Sequence, residues 1–208
     1  LHRLIRRQRQ MCIRDRHGME VQAGFIVGFD SDPPNIFERQ INFIQQSGIV
    51  TATVGLLNAP AGTKLYKRLK RENRLLHEIS GDNTDLTINF VPKMSREKLI
   101  NGYKHVMTTI YAPKQYYARI GTLLREHQPR AVHKHSHLNM WELRGLFKSM
   151  WYLGLQEKGR RYYWRVVIST LLRRPRSLSM VITLAVYGYH FRKLVEGYDQ
   201  YPTVSINP

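Results

Sequence analysis

The sequence predicts an α/β fold built from βαβ units over residues 17–95, followed by an all-α helical domain over residues 96–197. Three observations carry this. A near-continuous apolar run, Met19 to Phe29, precedes a proline-started helix and a second apolar run, Ile49 to Leu57. That is the order and size of strand, crossover helix and parallel strand. After Ser95 the apolar residues switch to a helical repeat that recurs as far as Val195. The charge changes at nearly the same place: residues 17–92 carry −1, residues 93–208 carry +14.

Each element has a local reason. Residues 1–16, LHRLIRRQRQMCIRDR, carry +5 and show no clean helical or alternating pattern. The string MCIRDR resembles translated adapter sequence, and residues 1–16 are expected to be a non-native or disordered basic segment. Met19–Phe29 is rich in β-branched and aromatic residues, as suits a strand covered on both faces. Asp30-Ser31-Asp32-Pro33-Pro34 then opens a helix, with an Asp or Ser cap and proline in the first turn. Ile36, Phe37, Ile41 and Ile44 give it one apolar face, and Gly48 stops it. Ile49–Leu57 is the second strand. Pro60-Ala61-Gly62-Thr63 is a turn, Lys64–Asn73 a short basic helix. Alternating Leu86, Ile88 and Phe90 make Asp85–Val91 a further strand.

Beyond Ser95, a suitable cap, Leu99, Tyr103, Val106 and Ile110 share one helical face. Pro113 interrupts, and Tyr117, Ile120 and Leu124 continue in a second helix. Arg130–Ser136 reads as a polar loop. Leu138–Leu155 and Arg161–Leu172 are two more helices. Arg173-Arg174-Pro175-Arg176 breaks the chain before a last helix, Leu178–Val195, and residues 198–208 form a tail.

Composition narrows the function. With 42% hydrophobic and 23% charged residues the chain is ordinary globular material. A net charge of +18 calls for an acidic counterpart: nucleic acid, anionic lipid or an acidic neighbouring domain. A single cysteine, Cys12, excludes an internal disulfide and any all-cysteine metal or iron–sulfur site within these residues. The longest apolar run, Leu178–Phe191, spans about 20 Å as a helix against a bilayer core of about 30 Å. His133, His135 and His137 alternate, but with Lys134 between them and no carboxylate nearby they read as a solvated loop rather than a metal site. Arg173–Arg176 suits either a phosphate grip or a soluble turn. Trp151, Tyr152, Tyr162, Tyr163 and Trp164, at helical spacing, read as core before base-stacking residues.

The segment with most chemical content is GFIVGFDSD, Gly24 to Asp32. Glycines towards the end of a strand let a ligand approach the backbone, and in α/β folds ligands sit at that end. The same glycines also suit plain packing. GMEVQAGFIVGFDSD, VGLLNAPAGTKLYKRL, NTDLTINFVPKMSREKLINGY and YGYHFRK, in this order, resemble the C-terminal part of radical S-adenosylmethionine (SAM) proteins with an N-terminal cobalamin-binding domain and a C-terminal helical extension, the group that includes hopanoid methylases. The resemblance runs from about Gly18 to about Lys193.

It implies that residues 17–95 are the end of a partial barrel. It also implies that Gly24, Ile26 and Gly28 lie against the SAM adenine, with Leu57 and Asn58 on the next strand closing the site. The acidic position three residues after the second glycine is Ser31 here, and Asp30 beside it is the preferred replacement. A side chain at Gly28 should block the ligand while sparing the fold, whereas Ile26→Ala should also remove core.

By the same resemblance, the three-cysteine motif for a [4Fe-4S] cluster and the cobalamin-binding region would both lie upstream of Gly18, and this segment would not be catalytic alone. The implied parent is a cobalamin-dependent radical SAM methyltransferase acting on an apolar or lipid-like substrate. Its partners would be the N-terminal domains of the same polypeptide and an anionic membrane surface. Its location would be the cytoplasm, peripheral to the inner face of the membrane. The competing reading is a non-catalytic basic helical module binding nucleic acid or anionic membrane, but no helix-turn-helix or similar motif is visible.

Overall fold

The computed structural model describes residues 21–76, 86–126 and 140–197. The expected βαβ unit is present. Strand β1 (Gln22–Val27) pairs in parallel with β2 (Thr51–Leu56), Gln22 opposite Thr51 and Val27 opposite Leu56. Helix α1 (Ile36–Ser47) is the crossover, burying Phe37, Ile41 and Ile44. Gly48 ends it in the left-handed conformation at φ 68°, which a residue with a side chain adopts only under strain. The expected Asp or Ser cap does not form. Asn35 holds the cap position without a side-chain bond. The Asp32 carboxylate is turned the other way, accepting from the Gly28 and Phe29 N–H groups at 2.8 and 3.0 Å. The helix therefore starts beyond both prolines.

Thr63 caps α2 (Lys64–Arg71), its hydroxyl accepting from the Tyr66 N–H at 3.1 Å. The strand expected over Asp85–Val91 is corrected for the described residues 86–91. They form an irregular segment with a single antiparallel bridge, Leu75 to Phe90. Asn89 is buried there, its side chain exchanging hydrogen bonds of 2.9 Å with Ala59 N and Ala59 O. A strand would have turned that amide outward while Ile88 and Phe90 went in. Here all three are buried. Backbone bonds join the segment to residues 74–76, Leu76 N to Asn89 O at 3.0 Å and Val91 N to Arg74 O at 2.8 Å, and on the other side the amides of Asn58 and Asn89 stand in for a ladder.

Ser95 caps α3 (Arg96–Tyr111) through the Lys98 N–H at 3.3 Å. Leu99, Tyr103, Val106 and Ile110 are buried, as their spacing requires. Pro113 opens α4 (Pro113–Glu126), a position that needs no N–H donor. The single helix expected over Leu138–Leu155 is α5 (Met140–Trp151) running into a π turn, Tyr152–Gln156. Gly154 explains the widening. The Trp164 indole lies on it, donating to Gly154 O at 2.9 Å, and a Cβ there would sit 2.9 Å from the ring. Helix α6 (Arg160–Arg173), a short 3-10 turn (Pro175–Ser177) and α7 (Leu178–Gly197) complete the described residues. Among the described residues no helix is long and apolar enough to cross a membrane.

The fold is thus an α/β unit carrying a helical region; among the described residues the sheet has two strands. One hydrophobic core runs from Val27 to Val195 and crosses the boundary placed at residue 95. The Tyr111 hydroxyl donates to Ala52 O of β2 at 2.8 Å, and the Tyr116 hydroxyl to Leu184 O of α7 at 2.6 Å. Residues 1–16, the histidine run at 133–137 and the tail at 198–208 lie outside the described residues.

Candidate functional site: an open, glycine-bearing sheet face

Because strand side chains alternate, the two-stranded sheet has two unlike faces. Ala23, Phe25 and Val27 with Ala52 and Val54 point into the core. Gln22, Gly24 and Ile26 point out, and the register sets Gly24 beside Thr53 and Ile26 beside Gly55. The outward face is therefore nearly flat, with two bare backbone positions and one large apolar side chain, Ile26, 49% exposed. The predicted Gly24 and Ile26 lie together on it.

The other predicted residues do not. Gly28 has φ 108°, and a Cβ there would lie 3.1 Å from Leu99 Cδ2 and 3.5 Å from Leu57 Cβ. It faces α3 and the core rather than the open surface. Its glycine is required by the turn in which its N–H meets Asp32. Leu57 is buried beneath it. Asn58 is engaged with the irregular segment: its amide donates to Thr87 O at 3.3 Å and its carbonyl accepts from Asn89 N at 3.0 Å.

Asp30 is held by arginines. Arg74 grips both its oxygens, Nη2 at 2.8 Å and Nη1 at 3.0 Å, and Arg68 Nη2 adds a third contact at 2.9 Å. Arg74 also donates to Val91 O at 2.8 Å and to Glu72 at 2.9 Å. Asp30 thus ties the turn after β1 to the end of α2 and to residue 91. The Arg74 hydrogen bonds hold its carboxyl below the ordinary value, with the charges of Arg74, Arg68 and Lys93 helping against burial.

Asp30→Asn should cost about 2 kcal/mol at neutral pH, since the side chain is only 13% exposed. A carboxylate whose folded pKa is depressed stabilises fully above its unfolded pKa, about 3.9, and loses that contribution as pH falls through the lower folded value. The gap in thermal midpoint between wild type and Asp30→Asn should therefore stay constant from neutral pH to about pH 4 and close below it. A gap that stayed the same into strong acid would contradict the ion-pair account.

Thr53 and Gly55 were missed. Their two-residue spacing was visible, but that they flank Gly24 and Ile26 depends on the parallel register. No group of three histidine, cysteine or acidic side chains gathers among the described residues in a way that could hold a metal ion.

The class defined by this architecture is an α/β unit whose sheet leaves Gly24, Ile26 and Thr53 exposed on one face, fused through a common core to a basic helical region. A family model described as a domain of unknown function, DUF4070, matches residues 63–201, and the chain belongs to that family. The chain is 32% identical over 176 residues to an uncharacterized methyltransferase of Synechocystis sp., covering 84% of this chain and 33% of that protein. It is 31% identical over 179 residues to the hopanoid C-2 methylase of Rhodopseudomonas palustris, covering 81% of this chain and 32% of that protein. The chain spans about a third of the length of these curated relatives. No solved structure matches it.

Proposed function

We propose that this chain is the C-terminal part of a cobalamin-dependent radical SAM methyltransferase acting on an apolar, lipid-like substrate. The open sheet face would be the part of the SAM site that it contributes. The observation that carries this is the pairing of Gly24 with Thr53 and of Ile26 with Gly55 on an uncovered face. A flat aromatic ring can reach backbone at the two glycines and lie against Ile26. One similar protein named as a methyltransferase and one named as a methylase support the reaction class.

The residues present fit an adenine ring. They do not fit a [4Fe-4S] cluster, because the sequence holds one cysteine where three thiolates are needed. The cluster and cobalamin would then be held by other parts of the full gene product. SAM held there would supply the radical chemistry when an electron from the cluster cleaves it. What these residues do is hold the ring and keep water from its face. The turn locked by Asp32 and Asp30 fixes where β1 ends.

Geometry changes the choice of probe. Gly28→Val would strain a positive φ and press on Leu99, so it confounds binding with folding. Gly24 is the better position: a Cβ there meets only Thr53 Oγ1, at an ordinary 3.7 Å, and a β-branched residue suits a strand. In the full gene product, Gly24→Val should leave the melting temperature unchanged and weaken SAM binding by about ten- to a hundredfold, the loss of a few ligand contacts. Ile26→Ala should also weaken binding at little cost in stability, because Ile26 is half exposed rather than core. Calorimetric titration with SAM decides it. Wild-type affinity in a folded Gly24→Val protein would remove this face from the site.

A further inference from the structure

The aromatic stripe at residues 151–164 divides in the fold. Tyr163 is buried and Trp164 is held on Gly154. Trp151 and Tyr152 instead face solvent, together with Phe147 and Leu155, all more than half exposed. Phe147, Trp151 and Leu155 follow one another at four-residue intervals along α5 and the π turn, opposite the buried Ser149, Leu153 and Gly154. Arg144 and Lys148 are exposed on the same helix, and Arg160 reaches the end of the stripe, donating to Leu155 O at 3.4 Å. Helix α6 repeats the pattern: Arg161, Arg165, Ile168 and Leu172 share the face turned away from buried Tyr163 and Val167.

Charge states what such a surface fits. Residues 140–197 hold eleven lysines and arginines against three glutamates, Glu142, Glu157 and Glu196. Glu157 is matched to Arg192 at 3.3 Å and Glu196 to Lys193 at 2.6 Å. Tryptophan and tyrosine bodies with cations interleaved are the composition that settles at the boundary between lipid headgroups and acyl chains.

We infer that the outward face of α5 and its π turn docks on an anionic lipid surface, with Phe147, Trp151 and Leu155 entering the headgroup boundary and Arg144, Lys148 and Arg160 meeting lipid phosphates. A wholly electrostatic partner such as duplex nucleic acid would leave three large apolar side chains without use. A bilayer uses both halves of the pattern. This surface shares no residue with the sheet face, so loss of SAM binding and loss of lipid binding are independent results.

The test is co-sedimentation of the 208-residue chain with vesicles of mixed phosphatidylglycerol and phosphatidylcholine, beside vesicles of phosphatidylcholine alone. The expected result is binding to the anionic vesicles only, weakening as salt rises, with a blue shift of tryptophan emission that Trp151→Phe abolishes. Phe147→Ser with Trp151→Ser should weaken binding about tenfold or more. Arg144→Glu with Lys148→Glu should weaken it by about fivefold for each cation removed. These positions are exposed, so circular dichroism and the melt should stay as in wild type. The inference is overturned if the folded chain ignores anionic vesicles. It is equally overturned if both double variants bind like wild type. Binding to duplex DNA as tight as to vesicles, with Trp151 emission unchanged, would assign the surface to nucleic acid. Self-association lost with Trp151→Ser, and no lipid binding, would assign it to a second copy of the chain.

Discussion

Gly102→Ala should lower the thermal midpoint of the chain by about 10 °C, corresponding to a loss of about 3 kcal/mol. A methyl group at this position of α3 would lie 2.2–2.5 Å from three carbons of the Phe37 ring. Phe37 cannot step aside cheaply, because it is buried between α1 and α3 beside Ile41 and Ile44. The usual gain of about 1 kcal/mol for alanine over glycine inside a helix is too small to offset this. Gly121→Ala is the control. It sits inside α4, a Cβ there meets nothing within 4 Å, and the variant should melt about 2 °C higher. If the two substitutions shift the midpoint alike, α1 and α3 do not meet as described.

Arg119→Ala should be comparably damaging, at about 3–5 kcal/mol. The side chain is fully buried. It donates to Gln45 Oε1, and to Val50 O at 3.3 Å, and lies over the Tyr116 and Tyr111 rings at 5.4 and 6.0 Å. No carboxylate pairs with it among the described residues, and burial pushes its pKa down to about 10. It remains a cation at neutral pH, stabilised by carbonyl oxygens and ring faces. Alanine would leave a hole and strand two acceptors. Arg119→Met keeps most of the volume and removes the desolvated charge, so it should cost no more than about 1 kcal/mol. Chemical denaturation of both variants measures the difference. Equal losses would mean that the hydrogen bonds to Gln45 and Val50, not the filled volume, hold this junction.

What was legible in the sequence was local. The order of the apolar runs, the glycine after α1, Ser95 before α3, Pro113 and the one-sided faces of α1 and α3 each act within a few residues and formed as read, but β1, read as covered on both faces, leaves Gln22, Gly24 and Ile26 exposed on one. What was not legible depends on partners far along the chain. Asn89 meets Asn58 across 31 residues, and this pairing, with one bridge from Phe90 to Leu75, stands where the alternation of Leu86, Ile88 and Phe90 suggested a strand. Asp30 reads as an unattached acid until Arg74, 44 residues on, closes on it. The direction in which Gly28 faces depends on Leu99 arriving from α3. The widened turn at Gly154 depends on Trp164. For the site, the spacing of Gly24 and Ile26 was visible, but their neighbours Thr53 and Gly55 needed the strand register.

The core shared by sheet and helices bears on how such proteins can recombine. A crossover between relatives at residue 95 would separate Tyr111 from Ala52, Arg119 from Val50 and Gly102 from Phe37, each fitted to the other. Chimaeras joined there would inherit mismatched halves. The open sheet face and the basic helices should therefore exchange between relatives only as a block.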